Sequence, residues 1–209
     1  VFSHLEMLPK FAGDNPCGLI SLKEMPAGRV GVQEIYLTRI KSIDDLILDP
    51  MVIKEGEKHV VENDPTEQEM EDMLTAWWLN ISGVRSNGVV AVKNGVAVSV
   101  GAGQVERVGA VEQMIVKGIQ KAMDREGIKY DPLFGVCGYE QLKDQPFKGA
   151  VVSSDGFFPF GDSIGLLARF GVSGIIQPFG SMNDDVVIDA ANEHGFAMCA
   201  TLERGFGHF

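Results

Sequence analysis

The last part of the chain, residues 149–209, constrains the fold more than any other stretch. Three short apolar runs alternate there with two helical patterns, and each helical pattern ends at a glycine. The runs lie at 151–152, 174–176 and 196–201. This alternation predicts parallel strands joined by right-handed helical crossovers. Ligands of open α/β sheets bind at the carboxyl ends of the strands, so we expect a site in the loops that follow these runs.

Polar and aromatic residues fill those loops. The first reads SDGFFPFGD over 154–162, and the second reads QPFGSMND over 177–184. Aromatic faces stack on flat heterocycles, and carboxylates and hydroxyls hydrogen-bond to their edges. A simpler interpretation is also open, in which two of the three phenylalanines belong to the core and Asp162-Ser163 only caps a helix.

The middle of the chain begins with a capped helix. Thr66 with Glu69 three residues later is a capping box, and apolar residues recur at helical spacing from there to about Asn80. Trp77 and Trp78 lie on this helix on adjacent faces, so they cannot both point into one core. They indicate packing in the core or against a second copy of the chain.

A hairpin and a long helix follow. Asn94-Gly95 separates apolar runs at 88–92 and 96–100, and this dipeptide supplies both positive φ angles of a type I′ turn. Residues 105–126 then have a helical pattern that ends at Gly127. Before residue 65 the signals are weaker: short strands are predicted at 18–22, 30–40 and 60–61, and a helical turn at 42–48.

The composition argues against several classes of function. A formal net charge of −11 disfavours nucleic-acid binding, which needs a basic face. No apolar run approaches the ~20 residues that span a bilayer, so we expect no membrane partner. Three scattered cysteines without a secretory signal indicate the cytoplasm rather than a disulfide framework.

Several motifs resemble the transformylase domain of the bifunctional purine-biosynthesis enzyme, the AICAR transformylase/IMP cyclohydrolase family. The C-terminal motifs are the two loops above, EHGFAM at 193–198 and RGFGH at 204–208. A second block consists of Ser86-Asn87 and GAGQVERV at 101–108. The domain transfers a formyl group from 10-formyltetrahydrofolate to AICAR (aminoimidazole carboxamide ribonucleotide), so the resemblance implies a nucleotide and a folate as small-molecule ligands.

The resemblance also implies an architecture. It covers about residues 65–209 and implies a cytidine-deaminase-like three-layer α/β sandwich, with a mixed sheet and helices on both faces. Residues 1–64 would be a reduced N-terminal part, and 131–147 a surface insertion. A homodimer is implied, because family members build their sites across a dimer interface.

Single residues receive roles from the same resemblance. Asn87 would hold the substrate carboxamide and the formyl oxygen, and His208 is the remaining candidate for a catalytic base. The residues implied for the nucleotide are Arg107, Phe157, Arg204, Phe206 and, in one alignment, Lys10; those for the folate are Asp162 and Ser181. No metal site is predicted, because the H-x-E and P-C-x-x-C signature of a zinc deaminase, the weakest of the alternatives, is absent.

Two alignments of the N-terminal segment leave the catalytic assignment open. One places Ala12-Gly13 where the family has the Lys-His pair that performs the proton transfers. The other gives Lys10 the place of a phosphate-binding arginine. The single Lys-His dipeptide, Lys58-His59, lies in a predicted extended run. The sequence therefore predicts a formyltransferase-like protein or a non-catalytic nucleotide-binding, folate-binding or oligomerising homologue.

Overall fold

The computed structural model of the chain describes residues 38–131 and 135–205. Five sequence positions of interest therefore lie outside the described residues: Lys10, Ala12, Gly13, Phe206 and His208. The predicted strand at 18–22 also lies outside them, as does all but the end of the one predicted at 30–40.

Seven strands form two sheets in the described part. They are β1 (Met51–Lys54), β2 (Glu57–Val60), β3 (Val89–Lys93), β4 (Val96–Gly101), β5 (Val151–Ser154), β6 (Gly174–Gln177) and β7 (Ala197–Ala200). β1 and β2 pair as a separate hairpin, and the other five lie in the order β4-β3-β5-β6-β7. β5, β6 and β7 are parallel, whereas β3 is antiparallel to both β4 and β5. The predicted mixed sheet is confirmed.

Four α-helices accompany the strands in these residues. They are α1 (Glu67–Gly83), α2 (Arg107–Glu126), α3 (Asp162–Arg169) and α4 (Asp184–Glu193), with short 3₁₀ turns at Ile43–Asp45 and Tyr139–Gln141. The predicted capping box starts α1: Thr66 Oγ1 accepts from the Glu69 N–H, and the Glu69 carboxylate accepts from the Thr66 N–H. α2 ends at Gly127, whose φ of 69° is the left-handed conformation that glycine adopts without strain.

The Asn94-Gly95 turn joins β3 to β4 as predicted, with φ angles of 53° and 73°. A buried carboxylate from α1 supports it. Asp72 accepts hydrogen bonds from the backbone N–H groups of Asn94 (2.7 Å) and Gly95 (2.6 Å). The first helix is thereby fastened to the far end of β3.

Helices pack on both faces of the five-stranded sheet, because successive strand residues point to opposite sides. α1 covers one face, where Trp77 packs with Val90 and Val92. The other three helices cover the opposite face, where Val89 and Ala91 point.

Adjacent tryptophans on α1 have different environments. Trp77 is fully buried, whereas Trp78 is 42% exposed and donates from its indole to the backbone carbonyl of Ile40 at 2.9 Å. In the segment predicted to be a surface insertion, Leu142 and Phe147 are buried in the core beside α2. No helix in the described ranges is both long and apolar enough to cross a membrane.

Candidate ligand-binding site

One edge of the sheet collects the loops that carry the sequence motifs. Val89 pairs with both Ser154 and Gly101, so the start of β3 lies beside the ends of β4 and β5. β6 and β7 run parallel to β5 and end at the same edge. We call this region the carboxyl edge; it comprises residues 84–88, 101–107, 155–162, 178–183 and 201–205.

Asp155 lies at the centre of the carboxyl edge and is fully buried. Its carboxylate accepts hydrogen bonds from Arg107 Nη1, from the Ser86 hydroxyl and from the backbone N–H of Gly88. Its own backbone N–H donates to the Gly88 carbonyl at 3.1 Å, and its carbonyl accepts from the Gly205 N–H at 2.8 Å. A single residue therefore connects the loop before β3, the start of α2 and the segment after β7.

Arg107 and Asn87 are in direct contact. Arg107 Nη2 donates to Asn87 Oδ1 at 2.9 Å. Asn87 Nδ2 in turn donates to the backbone carbonyls of Gln104 and Val105, both at 3.0 Å. The amide donors of Asn87 are thus engaged, and its oxygen, which accepts one bond, retains capacity to accept another.

Arg204 and Phe157 form the second contact pair. The guanidinium carbon of Arg204 lies 4.7 Å from the centre of the Phe157 ring, and the arginine is exposed to solvent. Gly180 approaches it closely enough that an added Cβ would lie 3.7 Å from Arg204 Nη2. An exposed guanidinium on an aromatic face can bind an anion while the ring packs against a flat group.

The loop after β6 is held by a carboxylate at the start of α4. Asp184 Oδ2 accepts from the backbone N–H groups of Gly180 (2.8 Å) and Ser181 (3.1 Å). Burial raises the pKa of Asp184, and its Oδ1 is buried without a hydrogen-bond partner among the described residues. The Ser181 hydroxyl accepts from the backbone N–H of Asn183 at 3.1 Å.

Asp162 begins α3, where its Oδ1 accepts from the Ser163 N–H at 2.7 Å, so this aspartate serves the helix start. Of the three phenylalanines before it, Phe158 is fully buried, Phe157 is partly buried and Phe160 is 57% exposed. The interpretation that two of them belong to the core is therefore wrong for this loop, because only Phe158 points into it.

The Lys58-His59 pair lies away from the carboxyl edge. His59 is on β2, and its Nδ1 lies 2.9 Å from Asp189 Oδ1 on α4. This hydrogen bond raises the pKa of His59. No cluster of three or more histidine, cysteine or acidic side chains within the described ranges could hold a metal ion.

Comparison with known proteins identifies the domain. The family model "AICARFT/IMPCHase bienzyme" matches residues 39–117. The chain is 40% identical over 151 residues to the bifunctional purine biosynthesis protein PurH of Persephonella marina, a match that covers 72% of this chain and 25% of that protein. The chain contains an AICAR transformylase-like domain.

Two further relatives give the same result for this AICAR transformylase-like domain. PurH of Aquifex aeolicus is 40% identical over 157 residues, 75% of this chain and 26% of the relative. PurH of Ruegeria sp. is 42% identical over 151 residues, 72% of this chain and 26% of the relative. The chain spans about a quarter of the length of these relatives.

Four residues singled out from the sequence of this AICAR transformylase-like domain come together in the structure. They form two contact pairs, Asn87 with Arg107 and Phe157 with Arg204, and Asp155 links the pairs through its side chain and its backbone. The two remaining described candidates lie in loops of the same edge, Asp162 at the start of α3 and Ser181 before α4.

The sequence analysis gave no role to two residues that organise the carboxyl edge. Asp155 stands directly after a predicted strand, and that position was the available signal. Asp184 follows the loop motif and had no separate signal, because an aspartate at a helix start is ordinary. Neither position indicated the hydrogen-bond partners of its aspartate, which lie in distant parts of the chain or are backbone N–H groups.

Proposed function

We propose that this chain is an AICAR formyltransferase-like protein of de novo purine biosynthesis, acting in formyl transfer from 10-formyltetrahydrofolate to AICAR. The observation that carries the proposal is the meeting of the Asn87–Arg107 and Phe157–Arg204 pairs on the carboxyl edge around Asp155. The similarity to PurH proteins supports the same reaction class.

Formyl transfer to a weakly nucleophilic aromatic amine requires orientation, removal of a proton and protonation of the leaving folate nitrogen. Phe157 offers a face for the flat ring of the nucleotide, and Arg204 beside it offers a cation for the phosphate. The Asn87 oxygen is fixed to accept an N–H from the substrate. Asp162 and Ser181 are assigned to the folate side by the family resemblance.

Local charge makes anionic ligands compatible with a chain of net charge −11. The exposed guanidinium of Arg204 lies at the carboxyl edge, and α3 and α4 both begin there. Helix N-termini present unpaired N–H groups and a positive end of the dipole. The acidic residues elsewhere on the surface are screened over about 10 Å at ordinary ionic strength.

A second candidate is a non-catalytic homologue that binds the nucleotide or the folate. The histidines found in the described residues, His59 and His194, both lie elsewhere: His59 pairs with Asp189, and His194 ends α4. The described carboxyl edge thus offers binding groups without a histidine base. A positioned base typically contributes ~10²–10⁴-fold to rate, so we expect slow turnover unless His208 or another group supplies it.

We assign residues 65–209 to a cytidine-deaminase-like three-layer lobe and residues 1–64 to a reduced N-terminal part, in a cytoplasmic protein. We also propose a homodimer, because Trp78 and Leu79 expose apolar surface on α1. Light scattering at micromolar concentration should give the dimer mass, and a monomer would contradict this assignment.

Isothermal titration with AICAR tests the binding function. We expect wild type to bind and Arg204→Ala to bind at least about tenfold more weakly, since hydrogen bonds to charged groups contribute roughly 1.5–3 kcal/mol. Arg169→Ala is the matched control, because Arg169 ends α3 at the opposite edge of the sheet. It should bind within about twofold of wild type.

The titration results distinguish an incorrect function from an incorrect binding site. No heat with millimolar AICAR in wild type would contradict the proposed function. Equal weakening in the Arg204 and Arg169 variants would contradict the site. A formyl-transfer assay then distinguishes the two candidates: slow turnover that disappears in His208→Ala supports catalysis by this chain, and binding without product supports the non-catalytic homologue.

A further inference from the structure

The contacts of Asp155 differ from those of Asp72, another buried aspartate of this chain. Asp72 is also a buried carboxylate, and it accepts backbone N–H groups at the Asn94-Gly95 turn. Asp155 accepts one backbone N–H as well, but it also binds a buried guanidinium. Fastening a turn therefore explains Asp72 and leaves the contact between Asp155 and Arg107 unexplained.

The guanidinium of Arg107 links Asp155 to Asn87. Its Nη atoms lie in one rigid plane, so holding Nη1 restricts the positions that Nη2 can take. Nη1 donates to the Asp155 carboxylate and to the Gly88 carbonyl at 3.1 Å, and Nη2 donates to Asn87 Oδ1 at 2.9 Å. The two chain neighbours of Asn87, Ser86 and Gly88, donate to the other carboxylate oxygen of Asp155. Asn87 is thus restrained through its side chain and on both sides along the backbone.

We propose that Asp155 is a positioning residue for the formyl-transfer site: through Arg107 it fixes the carboxamide of Asn87 in the orientation that receives the substrate. The proposal rests on the proposed function for what Asn87 binds. The contacts that join Asp155, Arg107 and Asn87 involve the protein alone and can be tested without a ligand. Asp155 itself is buried beneath these residues and is assigned no direct contact with a ligand.

The effect of removing the charge should be selective. Arg204 is tied to Asp155 by a backbone bond, from the Gly205 N–H to the Asp155 carbonyl, and a side-chain substitution leaves that bond in place. Asp155→Asn should therefore loosen Asn87 and spare the Phe157–Arg204 contact. A merely structural ion pair would instead affect all parts of the edge alike.

Hydrogen exchange of the side-chain amides, followed by NMR, measures how firmly Asn87 is restrained and requires no ligand. We expect the Asn87 side-chain amide to exchange at least about tenfold faster in Asp155→Asn than in wild type, within the coupling seen in hydrogen-bonded networks. The Asn183 amide, which donates to the Pro159 carbonyl at 3.0 Å, is the internal reference and should not change. Asp72→Asn is the matched buried-carboxylate control and should leave Asn87 within about twofold.

If Asp155→Asn does not fold, Arg107→Lys provides a second test of whether this ion pair positions Asn87. Lysine keeps a positive charge near Asp155, but its single ammonium cannot reproduce the planar contact with Asn87. We expect the same faster exchange at Asn87. Unchanged Asn87 exchange in the folded variants would overturn the positioning role.

AICAR titration adds the functional readout. The Kd should rise about tenfold or more in Asp155→Asn and stay within about twofold in Asp72→Asn. If wild type does not bind AICAR, the proposed function fails, and the exchange measurement still decides whether Asp155 positions Asn87. If AICAR binds equally to wild type and to an Asp155→Asn variant with a loosened Asn87, the role for substrate is overturned.

Discussion

Gly101→Ala tests how closely the end of β4 approaches α2 beneath the site. A Cβ added at Gly101 would lie 1.9 Å from the backbone oxygen of Ala110 and 2.8 Å from its carbonyl carbon. Ordinary van der Waals contact begins at 3.4 Å, so the strand and the helix would have to separate by about 1.5 Å, the difference between the two distances. Neither obstacle is a flexible side chain, and α2 carries Arg107 at its start.

We expect this substitution to cost about 3 kcal/mol, at the upper end of overpacking, or ~6–12 °C in unfolding temperature for a chain of this size. Gly83→Ala is the matched control, because a Cβ there meets nothing within 4 Å at the end of α1. Its free energy of unfolding should stay within about 0.5 kcal/mol of wild type. Thermal unfolding followed by circular dichroism measures both. A Gly101→Ala protein that melts within about 2 °C of wild type would refute the close approach.

Two further predictions concern titratable groups outside the site. The hydrogen bond from Asp189 raises the pKa of His59 above its ordinary 6.5, so this pair stabilises the fold below about pH 6.5 and loses that effect as the pH rises through the raised pKa. The difference in unfolding temperature between wild type and His59→Gln should therefore be largest near pH 5.5 and shrink toward pH 9; a constant difference would contradict it. Burial raises the pKa of Cys199 to about 12, so iodoacetamide at pH 8 should label exposed Cys137 and leave Cys199 unmodified until urea is added, as peptide mass spectrometry would report. Equal labelling in the native protein would contradict the burial of Cys199.

Elements with local signals were predictable from the sequence. The Thr66–Glu69 capping box and the Asn94-Gly95 turn each determine backbone geometry within a few residues, and both occur as predicted. β1 was missed because two of its three apolar residues face outward: Met51 is 52% exposed and Ile53 is 69% exposed, and only Val52 packs against the core. Their periodicity therefore carries no information about a core.

Individual residues of the candidate site could be predicted from the sequence, but the contacts between them could not. The resemblance singled out Asn87, Arg107, Phe157 and Arg204 one by one. The contacts between them join residues that are far apart in sequence, and Asp155 bonds to Ser86 and Arg107 across separations of 69 and 48 residues. Such pairing depends on strand order and register, which a single sequence does not specify.

A crystal structure of the chain with AICAR and a folate analogue would show where both ligands bind relative to the carboxyl edge. We expect the nucleotide at the carboxyl edge, with its ring against Phe157, its phosphate at Arg204 and the oxygen of Asn87 accepting from the substrate. The folate analogue should lie on the side of Asp162 and Ser181. Ligand density at another surface, such as that between the β1–β2 hairpin and α4, with the carboxyl edge empty, would contradict the assignment.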